Sequence, residues 1–193
     1  AVALAMRHPV GVGDAKYHLG DYRGFYEGVY LGAYRREIFD KVGRYDSAVH
    51  PNEDADLNMR IVESGAKIWL DGTIKVAYYP RASFGKLFAQ YFRYGRGRCR
   101  TTLKHRRFTS WRQILPPILV LSLAAAAGLS FWRPAFLLWI ALYLASVLTA
   151  SLFGGFGPDV SMGVRMRVFA AFAVMHISWG AGFLAGLWPR AIY

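Results

Sequence analysis

The chain has 193 residues and a formal net charge of +12, and 54% of its residues are apolar. This apolar content excludes a disordered chain, which lacks the buried surface needed to offset the entropy of ordering. The single cysteine, Cys99, excludes an internal disulfide framework and a cysteine-based zinc cluster.

The charge separates the chain into three zones. Residues 1–80 carry ten basic and eleven acidic residues and are close to neutral. Residues 81–113 carry ten basic residues and no acidic residue, whereas residues 114–193 carry four basic residues and one acidic residue. We interpret the zones as a globular domain, a basic membrane-surface segment and a membrane region. Because the chain starts without Met, we interpret it as part of a longer protein.

The first elements along the chain are short. Residues 1–7 are typical of the end of a helix, and residues 10–13 form a glycine-containing pattern that indicates a turn. Residues 29–34 have the composition of a short buried strand. Residues 35–42 then predict one or two helical turns, which Gly43 ends.

Residues 52–65 carry the sharpest local pattern. Asn52 is a typical N-cap residue, and Gly65 is typical of the position after a helix ends. Three acids stand in the first turn, where the helix dipole favours negative charge: Glu53, Asp54 and Asp56. A carboxylate held there can deprotonate a substrate hydroxyl as a general base. The alternative is that these acids only cap the helix N-terminus and are solvated.

Two strands are predicted after this helix. Residues 66–70 and 73–78 have strand composition and are joined across Asp71 and Gly72, a dipeptide typical of a tight turn. Helices and strands therefore alternate within residues 1–80, and this alternation predicts an α/β layer.

An amphipathic basic helix precedes the apolar zone. Five apolar residues fall on one helical face: Phe84, Leu87, Phe88, Tyr91 and Phe92. Such a helix is expected to lie in the headgroup plane, attracted to anionic lipid. On another face, Gln90 and Arg93 are three residues apart and suit the oxygens of a leaving diphosphate. The alternative is a solvated basic stripe facing lipid. The basic setting of Cys99 predicts a lowered thiol pKa.

The last zone reads as three membrane spans, approximately residues 114–132, 135–153 and 168–188. Each has the roughly 20 apolar residues that cross a hydrocarbon core. The alternative is a helical hairpin buried in a soluble core. Because basic segments stay in the cytoplasm, residues 1–113 and the loop at 154–167 are predicted to be cytoplasmic, in the inner membrane of a cell. In the third span, small residues indicate close helix packing: Gly180, Gly182 and Gly186.

Three motifs together resemble a known enzyme family. The first motif is Tyr30-Leu31-Gly32-Ala33-Tyr34-Arg35-Arg36-Glu37. The second is Asn52-Glu53-Asp54-x-Asp56-Leu57, and the third is Gln90-x-x-Arg93-Tyr94. This combination resembles the acceptor half of family 2 inverting glycosyltransferases, and the wider match is similar to succinoglycan-type exopolysaccharide glycosyltransferases. The resemblance implies a GT-A α/β domain whose nucleotide-binding half lies outside this chain, so that the chain alone is expected to be inactive.

The resemblance also implies roles for individual residues. Asp54 would be the catalytic base, next to Glu53. The donor diphosphate or the acceptor would contact the following residues: Gln90, Arg93, Tyr94, Asp56, Gly32 and Ala33. Tyr94 stands where the family has Trp. A divalent metal, Mg or Mn, is expected from the family, with ligands mostly outside this chain, because Asp54-Ala55-Asp56 falls in the acceptor motif.

The function predicted on this basis is the transfer of a sugar from a nucleotide-sugar donor to a lipid-linked or growing saccharide acceptor in cell-surface glycan synthesis. The alternative is a non-catalytic module that binds anionic membrane lipid through its basic helix. Nucleic-acid binding would explain the basic zone, but it explains neither the spans nor the acidic cluster, so we predict no nucleic-acid partner.

Overall fold

The computed structural model describes residues 1–13, 16, 22–29 and 31–188. Helices dominate this part of the chain, and two short strands form a small sheet. The helices are α1 (Val2–Ala5), α2 (Pro9–Val12), α3 (Arg36–Val42), α4 (Glu53–Glu63), α5 (Phe84–His105), α6 (Leu115–Leu129), α7 (Leu137–Phe153) and α8 (Met162–Gly186). The strands are β1 (Arg23–Phe25) and β2 (Trp69–Asp71).

The sheet differs from the predicted hairpin. Strand β2 pairs antiparallel with β1, with Arg23 opposite Asp71, and not with residues 73–78. The predicted second strand is wrong because the Asp71 carboxylate accepts hydrogen bonds from the amide and hydroxyl of Thr73, which closes a turn there. The chain beyond this turn stays exposed, with Ile74 at 75%. Within the described residues, the α/β layer is reduced to this two-stranded sheet.

The predicted strand at 29–34 is also wrong. Leu31 has a φ of +52°, which breaks an extended segment, and its side chain is 69% exposed. Tyr30, in the middle of that prediction, lies outside the described residues.

The helices around the acidic cluster are confirmed. Helix α3 ends at Gly43, whose φ of +78° is left-handed. Helix α4 begins after Asn52 and is followed by Gly65 at a φ of +83°. Asn52 occupies the N-cap position without capping the helix, because its side-chain amide instead donates to Thr101 Oγ1 of α5 at 2.8 Å.

Helices α5 and α8 pack side by side in the same direction. Phe92 lies beside Gly182, and further along both helices Cys99 lies beside Gly186. A Cβ atom on Gly182 would overlap the carbonyl oxygen of Phe92. The predicted close packing at the glycines of α8 is therefore confirmed, and Gly180 makes an equally close approach to α6.

The hydrophobic core lies along α8 and includes α1. Its largest buried side chains are Phe172, Met175 and Leu87, and Ala5 and Met6 of the first turns are buried against them. Helices α1 and α2 therefore belong to the helical bundle. The ring of His176 anchors this segment, with Nε2 2.6 Å from the carbonyl oxygen of Val10.

Three helical segments are long and apolar enough to cross a membrane: Trp111–Leu129, Pro134–Phe153 and Met162–Gly186. The third starts six residues before the predicted boundary at 168, so Arg165 and Arg167 belong to α8 and not to the preceding loop. This early start is stabilised because the Arg165 guanidinium donates to the carbonyl oxygen of Leu152 at 2.6 Å and to that of Val160 at 3.1 Å.

Candidate functional site

The three acids in the first turn of α4 lie in three different environments. Asp56 is fully buried, and Glu53 lies within 3.3 Å of the His50 ring. Asp54 is exposed to solvent, and its carboxylate accepts a hydrogen bond of 2.7 Å from the amide of Ala55. Of the three, Asp54 is the one whose side chain is exposed.

The protein around Asp54 favours its protonated form more than water does. Desolvation raises the pKa of the Asp54 carboxyl, with a further contribution from Glu53, while the Ala55 amide and the Arg98 guanidinium on α5 oppose the rise. A carboxylate with a raised pKa is a better proton acceptor when it is ionised. The first turn of α4 therefore presents a base to solvent, with a cation from the neighbouring helix close to it.

Tyr34 is a member of this site that was not predicted. Its hydroxyl donates to Asn58 Oδ1 at 2.7 Å, and Asn58 is buried on α4. Desolvation, followed by the nearby Tyr45 and Asp54, raises the pKa of Tyr34 to about 12, so the hydroxyl remains a donor at neutral pH. The residue stood inside the first motif, but its spacing from Asn58 in the chain gave no sign of this contact.

Gly32 and Ala33, both predicted as site residues, lie next to Tyr34. A Cβ atom on Gly32 would lie 2.5 Å from the Tyr34 hydroxyl and 2.7 Å from the Val29 side chain. A larger residue at this position would displace the side chain of Tyr34 or Val29. Ala33 is exposed beside it. The structure thus joins the first and second motifs through Tyr34.

Asp56 is enclosed in ion pairs. Its carboxylate lies 2.9 Å from Arg60 Nη2, 2.7 Å from Lys104 Nζ and 2.8 Å from His105 Nε2. Burial by itself would raise the pKa of Asp56, but the hydrogen bonds from Lys104, His105 and Arg60 outweigh it and lower that pKa. The side chain therefore holds α4 against α5, and it faces these cations rather than open solvent.

The third motif lies nearer the start of α5. Gln90 is 2% exposed, and its amide donates to the hydroxyls of Tyr78 at 2.9 Å and Tyr94 at 2.8 Å. Arg93, on the next turn, is exposed. Eight residues separate Gln90 from Arg98, which corresponds to about 12 Å along a helix. One helix therefore carries both the third motif and the cation that faces Asp54.

The acidic motif does not suit a divalent metal. Mg²⁺ and Mn²⁺ need carboxylate oxygens that are available for coordination, whereas the Asp56 carboxylate is occupied by three cationic side chains. No group of three or more potential metal-ligating side chains occurs among the residues that the structure describes.

The expectation for Cys99 is wrong. The side chain is fully buried between α5 and α8, and this burial raises the pKa of the thiol, with Arg100 opposing the rise. The neighbouring basic residues in the sequence lie on other faces of α5, which the pattern of charges alone did not reveal.

The chain is similar to one curated protein of known role. It is 37% identical over 188 residues to the succinoglycan biosynthesis protein ExoA of Rhizobium meliloti (strain 1021). The match covers 95% of this chain and 54% of that protein, so the chain spans about half the length of its relative. No family model matches the chain. No solved structure matches it significantly.

Proposed function

We propose that the chain is the acceptor-side, membrane-associated part of an inverting glycosyltransferase for exopolysaccharide synthesis. The similarity to a succinoglycan biosynthesis protein supports the pathway class. Three helices suited to crossing a membrane support an attachment that keeps a lipid-linked acceptor close. Because the match covers 54% of the relative, we place the nucleotide-binding half of the GT-A domain, and any Mg²⁺ or Mn²⁺ ligands, outside this chain.

Asp54 is the proposed general base. Its carboxylate takes the proton of an acceptor hydroxyl, the hydroxyl oxygen attacks the anomeric carbon of the sugar, and the bond from that carbon to the diphosphate breaks. The electron pair leaves with the diphosphate, and a single displacement inverts the anomeric configuration. The observation that carries this assignment is that Asp54 is the acid of its cluster that is exposed and has a raised pKa.

The third motif supplies the proposed contact with the departing diphosphate. Arg93 is exposed on α5, and a guanidinium stabilises the negative charge that develops on phosphate oxygens. Gln90 is too buried to reach a ligand freely, so we assign it and Tyr94 to holding the surface around Arg93. The donor is a nucleotide sugar and the acceptor a lipid-linked saccharide in this proposal, with the site on the cytoplasmic side of the inner membrane.

The test is transfer of a labelled nucleotide sugar to a membrane lipid extract by the full-length protein. Asp54→Asn keeps the size of the side chain but removes the base, so we expect a loss of about 100-fold or more. Asp40→Asn, at an exposed position of α3, is the matched control and should retain full transfer. Undiminished transfer by Asp54→Asn would show that another group takes the proton.

The second candidate is a non-catalytic module that binds anionic lipid. It is favoured by the exposed Phe88 and Arg93 on α5, within a segment that has no acidic residue. In that case Asp54→Asn would leave lipid binding unchanged, whereas Arg93→Gln would weaken binding to vesicles that contain an anionic lipid.

A further inference from the structure

The His105 ring bridges two carboxylates of α4. Its side chain is 6% exposed, Nε2 lies 2.8 Å from Asp56 Oδ1, and Nδ1 lies 3.1 Å from Glu63 Oε1. A neutral imidazole has one N–H and one lone pair, so it can donate to only one of these oxygens. The lone pair would then face a carboxylate oxygen at hydrogen-bond distance, which is repulsive. Both contacts are attractive only when the ring carries two protons.

The contact between α4 and α5 around Asp56 forms a junction, and the charges at this junction agree with a doubly protonated ring. The carboxylates that face it are Asp46, Asp56 and Glu63, and the cations that face it from α4 and α5 are Arg60 and Lys104. Lys104 Nζ lies 2.7 Å from both Asp46 and Asp56. A doubly protonated His105 adds the third cation, so that three positive charges balance three negative charges around the buried Asp56.

The junction lies two residues from the proposed base. Helix α4 is held to α5 at Asn52, which donates to Thr101, and at Asp56, which faces Lys104 and His105. Asp54 stands between these two attachment points. Its distance from Arg98 therefore depends on how α4 and α5 are aligned.

We propose that His105, as an imidazolium between Asp56 and Glu63, is a positioning residue that keeps α4 aligned with α5 and thereby keeps Asp54 opposite Arg98. Loss of one ring proton weakens the junction, so turnover falls as the pH rises through the range in which the ring deprotonates. This role rests on the proposed function for its catalytic consequence, whereas the protonation state of the ring can be tested without any activity.

The first experiment is a ¹⁵N NMR measurement of the histidine-labelled full-length protein in lipid nanodiscs, with His105→Gln used to assign the signal. We expect both ring nitrogens of His105 to carry a proton under the conditions of the transfer assay, and Glu63→Gln to leave the ring with a single N–H. A wild-type ring with one bare nitrogen under those conditions would overturn the proposal. This measurement keeps its meaning even if the protein transfers no sugar.

The second experiment compares pH profiles of sugar transfer. We expect His105→Gln to lower kcat about tenfold with little change in KM, because alignment is altered and not the acceptor surface. His105→Arg keeps a permanent charge and should flatten the decline of kcat at high pH, and Glu37→Gln, at an exposed position of α3, is the charge-change control. An unchanged kcat and pH profile in His105→Gln would overturn the positioning role, whereas no transfer by the wild type would instead refute the proposed function.

Discussion

The buried amide of Asn52 donates a hydrogen bond of 2.8 Å to Thr101 Oγ1, and this bond joins the start of the acidic helix to the middle of the long basic helix. The two residues are 49 positions apart in the chain. Gly97 leaves the space for this approach, because a Cβ atom there would lie 3.1 Å from Asn52 Cβ. The position of Asp54 is thus set by α5 as well as by its own helix.

Removing the acceptor of this bond should destabilise the protein. Thr101→Val keeps the shape of the side chain but leaves the buried Asn52 amide without its partner, which costs about 1–3 kcal/mol. Thr101→Ser retains the hydroxyl and serves as the control. The measurement is denaturant unfolding of the full-length protein in detergent. Equal stability of the two variants would show that the bond contributes nothing.

Gly182 provides a test of the α5–α8 contact. Gly182→Ala places a methyl group against the carbonyl oxygen of Phe92, so the helices must separate, and we expect a loss of about 1–3 kcal/mol. Gly163→Ala, on the same helix, meets no atom within 4 Å and should be neutral or slightly stabilising. Thermal unfolding compares the two variants. If both behave alike, the close approach of these helices does not limit stability.

The local elements could be predicted from the sequence, but their partners could not. Helices α3 and α4 end at Gly43 and Gly65, and these glycine signals act within a few residues. Strand β2, in contrast, pairs with β1 46 residues earlier, and no turn dipeptide marks such a pairing. Sequence patterns carry periodicity and capping, whereas the choice of a distant partner depends on packing.

The candidate site shows the same division. The motif around Asp54 could be found from its spacing, but nothing in that spacing distinguished Asp54 from Asp56. The distinction comes from Lys104 and His105, which reach Asp56 from a helix that begins 28 residues later. Tyr34 was overlooked for the same reason, because its partner Asn58 lies on another element.

The pH dependence of transfer should respond to Arg98. Transfer needs the ionised form of Asp54, so activity falls as the pH drops through the pKa of that carboxyl. Arg98 lowers this pKa by stabilising the ionised form. Arg98→Gln removes the attraction, so the pKa rises and the acid limb of kcat/KM moves to higher pH.

Arg133→Gln removes an equal charge between α6 and α7 and should leave the acid limb in place. A limb in Arg98→Gln that stays fixed or moves to lower pH would contradict the assignment of Asp54 as the titrating base. The profile is that of kcat/KM for the nucleotide sugar, measured with the full-length protein at saturating lipid acceptor.

The side-by-side packing of α5 and α8 gives these helices one common inclination to a bilayer. Between Arg93 and Arg100, α5 carries four arginines, and charged side chains are costly in hydrocarbon. In place of the three predicted spans we therefore expect that α5 lies flat at the interface with α8 beside it, and that α6 and α7 cross. Spin labels at the exposed positions Phe88 and Leu103 would then show equal depth in a bilayer. If α8 instead crosses with α5 upright beside it, the 15 residues between the labels would separate their depths by about 22 Å.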